Sequence, residues 1–220
     1  MSELLRLENI TCGYPGNPVL ENLSMSLSVG EAAALCGSNG TGKTTLIKLL
    51  NGLLFPISGS YYFEGTPITR EKLKDQRFAK SFHRRVGYVF QNAEVQLFCS
   101  SVRDEIAFGP LQLGISREEA ERRTEDLLNL FDLKRLEDRP PYHLSGGEQK
   151  RTAFAAVLSV NPELLILDEP LAGLDKKTRR FLMDFLLQWK LAGKTLLFAT
   201  HDEELVESLA DRVIQLDEEE

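Results

Sequence analysis

Residues 31 to 54 read EAAALCGSNGTGKTTLIKLLNGLL. A short apolar run ends at Gly37, a glycine-rich turn follows, and apolar residues then recur at helical spacing up to a stop at Gly52. The turn carries the pattern G-x-x-x-x-G-K-[ST] as Gly37, Gly42, Lys43 and Thr44. Its glycines let successive backbone N–H groups turn inward on phosphate oxygens, Lys43 reaches the outer phosphates, and the Thr44 hydroxyl can ligate Mg²⁺. Ser38, Asn39, Gly40, Thr41 and Thr45 complete the predicted nucleotide-binding segment. A buried strand, a phosphate loop and a helix in that order predict an α/β fold.

Outward from this stretch the pattern is consistent. LLRLENITCGY and VLENLSMSLSVG, on its N-terminal side, alternate apolar and polar residues as half-buried strands do, and GSYYFEG reads as a further strand. Residues 71 to 85 are polar and charged, which predicts a surface helix or loop. VGYVFQ returns as a strand, and residues 101 to 133 read as helical with Ser101 and Ser116 as N-caps. Glu119 lies three residues after Ser116, the spacing of a capping box. The last third alternates: a helix from Gly146, strand LLILD, helix 176–191, strand TLLFAT, a helix from Asp202, strand RVIQL. Continuous apolar strands alternating with helices mean a parallel sheet covered on both faces. The DEEE tail reads as a solvated end.

Composition sets the bounds. The 220 residues, 42% hydrophobic and 27% charged, fit a soluble globular chain with a proper core. A formal charge of −7 argues against a nucleic-acid surface as the main business, while leaving room for a local basic patch. Three scattered cysteines form neither a disulfide framework nor a zinc site and fit a reducing compartment. No apolar run approaches the roughly 18 residues of a membrane span, and MSELLRLENI is no signal peptide. The expectation is a cytosolic protein whose membrane link, if it has one, goes through a partner.

Three further stretches carry chemistry. LLILDEP ends an apolar strand in Asp168, a carboxylate at the sheet edge where open parallel sheets bind ligands, suited to the Mg²⁺ hydration shell. Glu169 aims differently and is a candidate base for an attacking water. His201 follows the strand LLFAT at the same edge, where a γ-phosphate sensor would sit; His83 and His143 lack such a setting. LSGGEQKR, residues 144 to 151, places a hydroxyl and two glycines, Ser145, Gly146 and Gly147, at a helix start. That is a second anion-binding device in a chain that already has one.

The phosphate loop, Gln91, LSGGEQ, LLILDEP, AGLD and His201, in this order and spacing, resemble the nucleotide-binding subunit of an ATP-binding cassette (ABC) transporter across almost the whole chain. The resemblance implies a P-loop NTPase cassette with a mostly parallel core sheet, an antiparallel β subdomain and a helical signature subdomain. It implies one domain, its core and antiparallel part at about 1–90 and 160–220 and its helical part at about 91–159. The implied cofactors are ATP and Mg²⁺. Two subunits, of this chain or of a paralogue, would meet head to tail, so that Ser145, Gly146, Gly147 and Glu148 serve the partner's ATP. On the same basis Tyr14 would lie on the adenine, Gln91 on Mg²⁺ and the attacking water, and Asp168 and Thr44 on Mg²⁺. Glu169 would be the catalytic carboxylate, His201 would touch the γ-phosphate, and Asp175 would make a dimer contact.

QNAEVQLFCSSVRDEIAFGPLQLG is similar to the energy-coupling factor group, importers of vitamins and of cobalt or nickel ions. Asn92, Glu94, Gln96, Leu97, Phe98 and the run Asp104 to Gly109 match; Ala93, Val95 and Leu171 depart from the group's usual residues. The group implies an integral membrane scaffold and a small substrate-binding membrane subunit as partners, at the cytoplasmic face of the membrane. An apolar patch of Val95, Leu97 and Phe98 beside Glu94, Asp104 and Glu105 could receive a short helix bearing an Arg. The alternative for Leu97, Phe98, Ile106 and Phe108 is helical-lobe core, with Glu94 as the exposed contact. The other readings are the ATPase of a different ABC importer or exporter, a soluble ABC protein that clamps nucleic acid or ribosomes, and a P-loop kinase. The soluble ABC protein usually needs two cassettes or a coiled-coil insertion, and the kinase leaves LSGGEQ unexplained.

Overall fold

A computed structural model describes residues 2–216; the DEEE tail lies outside the described residues. The chain opens with two long strands, β1 (Glu3–Tyr14) and β2 (Asn17–Ser28), paired antiparallel. β4 (Ser58–Phe63) adds on the other side of β1, and a two-residue strand that the sequence did not announce, β5 (Thr66–Pro67), extends it. This four-stranded sheet has the order β2-β1-β4-β5.

The second sheet is wholly parallel, in the order β6-β7-β8-β3-β9. Its strands are β3 (Ala32–Cys36), β6 (Val86–Val89), β7 (Leu164–Asp168), β8 (Thr195–Ala199) and β9 (Arg212–Gln215). Every residue of β7 and β8 is buried, as a strand covered on both faces requires. Alternate residues feed two cores. Ala33, Leu35, Leu164, Ile166, Leu197 and Ala199 pack with α1 (Lys43–Leu50) and the antiparallel sheet. Ala32, Ala34, Leu165, Leu167, Leu196 and Phe198 face the other way, with helices α6 (Gly146–Leu158), α7 (Lys176–Leu191) and α8 (Glu203–Leu209).

Residues 71–85 form two helices, α2 (Arg70–Lys74) and α3 (Gln76–Arg85), capped by the side chains of Thr69 and Asp75. The helical region at 101–133 is likewise two helices, α4 (Val102–Gln112) and α5 (Arg117–Leu130), separated at Gly114, whose φ of +78° no helix accepts. Ser101 and Ser116 both cap as expected. The capping box at Ser116 is only half made, because Glu119 turns outward to Arg122 and Arg123 instead of back to the cap. A complete box stands at Ser145, with Glu148 closing it.

Candidate functional site

The turn between β3 and α1 is held by its own groups. Lys43 Nζ donates to the carbonyls of Gly37 at 2.6 Å and Ser38 at 2.7 Å, and Thr41 Oγ1 donates to Ser38 O at 3.0 Å. Gly37 has φ +148°, and a Cβ there would lie 2.3 Å from the Leu216 carbonyl, so no other residue fits between the loop and the end of β9. The loop's curve is a built concavity of backbone at the start of a helix, the geometry that receives phosphate. Asn39 and Gly40 are exposed at its tip and Thr45 is buried in α1.

Thr44 Oγ1 lies 3.5 Å from Asp168 Oδ2, and the Tyr88 hydroxyl reaches the same oxygen at 3.5 Å. Asp168 is buried, and that burial pushes its carboxyl upward, against the pull of Thr44, Tyr88 and the Lys150 and Lys43 ammonium groups. A hydroxyl and a buried carboxylate across a phosphate loop form an all-oxygen donor pair suited to a hard divalent cation. Mg²⁺ fits the residues present.

Beyond Asp168 the chain turns sharply. Glu169 has φ +44°, a conformation costing about 1–3 kcal/mol for a residue of this kind, and its N–H is fixed on Ala199 O at 2.9 Å. The turn sends two consecutive carboxylates to different neighbours. Glu169 Oε2 accepts from Thr200 Oγ1 at 3.2 Å, while Oε1 is buried with no hydrogen-bond partner, 3.7 Å from His201 Nε2. His201 Nε2 also lies 3.1 Å from Asn39 Oδ1, which ties the tip of the phosphate loop to the end of β8. An orphaned carboxylate oxygen beside an imidazole and a phosphate cradle can accept a proton from a water brought there.

The other expected residues lie apart from this cluster. Tyr14 is exposed at the end of β1, its hydroxyl accepting from Lys48 on α1 at 3.1 Å. Gln91 is exposed and its side chain makes no hydrogen bond among the described residues; its backbone carbonyl is what the fold holds. Ser145 and Glu148 bond to each other, Ser145 N to Glu148 Oε2 at 2.9 Å. Asp175 spends its carboxylate on the N–H groups of Lys177 and Thr178 and on the Thr178 hydroxyl, capping its own helix. Gly147 packs against that cap, where a Cβ would lie 2.8 Å from Thr178 Oγ1 and 3.2 Å from Asp175 Oδ2.

Two functional candidates escaped the sequence reading. Lys150 is buried, and its Nζ donates to the carbonyls of Phe90 at 2.9 Å and Gln91 at 3.0 Å, bolting the signature helix α6 to the loop after β6. Burial pushes the ammonium down to about 8, with Asp168 and Glu169 pulling the other way. A lysine in the second turn of the helix, shortly before the apolar run AFAAVL, was the available signal. Tyr88 was hidden inside an apolar strand.

The docking patch is partly corrected. Glu105 is buried and accepts the N–H groups of Phe98 and Cys99 at 2.9 and 2.7 Å, so it is not a surface acid, whereas the exposed Asp104 accepts from the Ser100 hydroxyl at 2.6 Å. Ile106 is core, whereas Phe98 is 69% exposed and stacks edge-on against Phe108. Gln96 clasps the backbone of Tyr88 and Phe90, and Glu94 is exposed.

The family profile described as "ABC transporter" matches residues 20–172. The chain belongs to the ABC transporter family. It is the ATP-binding, ATP-hydrolysing type of subunit in that family. A nickel import ATP-binding protein of Lactiplantibacillus plantarum is 45% identical over 211 residues, 96% of this chain and 88% of that protein. An energy-coupling factor transporter ATP-binding protein of Methanospirillum hungatei is 39% identical over 99% of this chain and 54% of its own length. Among solved structures, a dimeric ATP-binding cassette in a post-hydrolysis state with ADP and Pi superposes with a TM-score of 0.85, at 26% identity, over 99% of this ABC subunit and 97% of that chain. Among the described residues no helix is long and apolar enough to cross a membrane.

Proposed function

We propose that this ABC subunit powers an energy-coupling factor type importer of a vitamin or a transition-metal ion, working as one of two ATPase subunits bound at the cytoplasmic face of the membrane. The observation that carries the chemistry is the buried, unpartnered Oε1 of Glu169 beside His201. In this reading the loop from Gly37 to Thr45 wraps the phosphates, Lys43 leaves the loop carbonyls for the outer phosphate oxygens, and Tyr14 packs on the adenine. Thr44, Asp168 and Gln91 hold Mg²⁺, whose charge offsets that of the outer phosphate oxygens. Glu169 Oε1 takes the proton of the attacking water, Thr200 holds its other oxygen, and His201 contacts the γ-phosphate from its seat on Asn39.

Ser145, Gly146 and Gly147 belong to the second nucleotide. Their hydrogen bonds stay within their own helix start, and none goes to the phosphate loop of the same chain. The dimeric neighbour supports a pair of subunits; in the head-to-tail pair proposed here, each signature helix closes the partner's site. The membrane partner would seat on the exposed face of Glu94, Val95 and Phe98, next to the Gln91 loop that Lys150 ties to the signature helix. Through that tie, closing of the dimer around ATP reaches the docking face.

The test is co-purification of Glu169→Gln with ATP from native membranes. A polytopic scaffold with a small separate membrane subunit is the expected company. A conventional pair of membrane domains would place the chain in another branch of the family.

A further inference from the structure

The segment 70–85 holds seven of the chain's 26 basic residues and two of its 33 acidic ones, a local excess of five positive charges in a chain of net −7. Six of its seven cations are without an ion pair, Arg70 lying over the Phe55 ring and Lys72 over the Phe78 ring. Arg70, Lys72, Lys74, Arg77, Lys80 and Arg84 are exposed, and none of them forms an ion pair among the described residues. Arg85 alone is paired, with Glu64 and Glu163. The neighbouring helical lobe is the opposite case: Arg103, Arg122, Arg123 and Lys134 all sit on carboxylates.

The placement is ordered by the helix. In α3 the spacing i, i+3, i+7 sets Arg77, Lys80 and Arg84 on one face, and Phe78 and Phe82 on the other, where Phe82 enters the core. α2 buries nothing, so Lys72 and Lys74 stay at the surface beside it. The loop after α1 leans on this pair, since a Cβ at Gly52 would lie 2.5 Å from Leu73 and 3.4 Å from Phe82. That loop exposes Leu53 by 57% and Ile57 by 64%. A cleft of about 740 Å³ walled by Phe55, Ile57, Ile68 and Arg70 continues the apolar margin.

We infer that α2, α3 and the adjoining loop 51–57 form a contact surface for the anionic phospholipid headgroups of a bilayer. Six unpaired cations supply attraction that an otherwise acidic chain lacks, and Leu53 and Ile57 supply aliphatic groups for the interface. Nucleic acid is less well served, because Phe82 is core and Phe78 is half-buried under Lys72, which leaves His83 as the exposed ring of α3. The cations and loop 51–57 lie outside the proposed ATP site, which the cleft borders at Tyr14, and a protein-free vesicle tests the surface independently of any membrane partner.

The experiment is co-sedimentation of the full chain with vesicles of 70% phosphatidylcholine and 30% phosphatidylglycerol at 0.1 M salt. Pelleting is expected, lost on pure phosphatidylcholine and at 0.5 M salt, where the screening length falls well below 10 Å. Neutralising Lys72→Gln, Lys74→Gln, Arg77→Gln and Lys80→Gln together lowers the partition coefficient by roughly a hundredfold or more, at about fivefold per cation, with ATP hydrolysis in solution unchanged. Replacing Lys72, Lys74 and Lys80 by Arg retains binding, which separates charge from loss of fold. No pelleting, equal pelleting on neutral vesicles, undiminished pelleting of the neutralised chain, or binding of single-stranded RNA without binding of vesicles overturns the inference.

Discussion

The two anion-binding devices use glycine for different reasons. In the phosphate loop Gly37, Gly40 and Gly42 all have positive φ, so glycine is there for the shape of the backbone. In the signature stretch neither Gly146 nor Gly147 has positive φ; Gly147 is there for space, because the cap of α7 stands where a Cβ would go. The first device is closed by its own lysine on its own carbonyls. The second is closed by a capping box, and its far side rests on Asp175 and Thr178. A loop that must change partners to bind phosphate suits the proposed role toward its own chain's nucleotide; a rigid helix start wedged against the next helix suits the proposed presentation to a partner.

The contrast is broken most strongly at Glu169. Glu169→Gln is expected to lower the rate of phosphate release by about a hundredfold or more while leaving the ATP dissociation constant within a small factor, measured by stopped-flow phosphate detection and equilibrium binding. Next comes the loop: Lys43→Ala removes a charge-assisted contact to phosphate and is expected to weaken ATP binding itself by about ten- to a hundredfold. Gly147→Ala should separate the devices, leaving ATP binding by the monomer intact and cutting turnover. Pairing it with Thr178→Ala, which clears the obstructing hydroxyl, should recover part of that loss; no recovery would mean that the glycine serves the ligand and not the packing.

Smaller effects sharpen the same picture. Ser145→Ala opens the capping box and is expected to cost about 1 kcal/mol of stability, read by chemical denaturation. Lys150 gives a pH signature. Its folded value, about 8, lies below its ordinary one, so between about 8 and 10.5 the unfolded chain holds a proton that the folded chain does not. Stability therefore rises with pH across that window relative to Lys150→Met, which lacks the group. A difference of the opposite sign would show the ammonium to be favourably held.

Much of the site was legible because it is local. The phosphate loop, the carboxylates ending β7 and the serine caps are set by neighbours within a few residues. The half-made box at Ser116 shows the limit of that rule: the spacing was right, but Arg122 and Arg123, a turn further on, drew Glu119 away. Glu105 looked like a surface acid and became a buried clasp, since the loop at Phe98 and Cys99 folds over it.

By itself the sequence determined the order of the main strands and helices and the phosphate cradle, because periodicity, glycine placement and capping are short-range physics; the family was legible only as a resemblance of its motifs. Tertiary structure alone decided that His201 meets Asn39 across 162 positions, that Lys150 grips the Gln91 loop, and that Glu169 keeps one oxygen unpaired. It also left six cations of α2 and α3 without an ion pair while pairing Arg103, Arg122 and Arg123 of α4 and α5. Which partner a buried or charged group finds depends on where strand ends and helices cross, and no local pattern encodes that crossing.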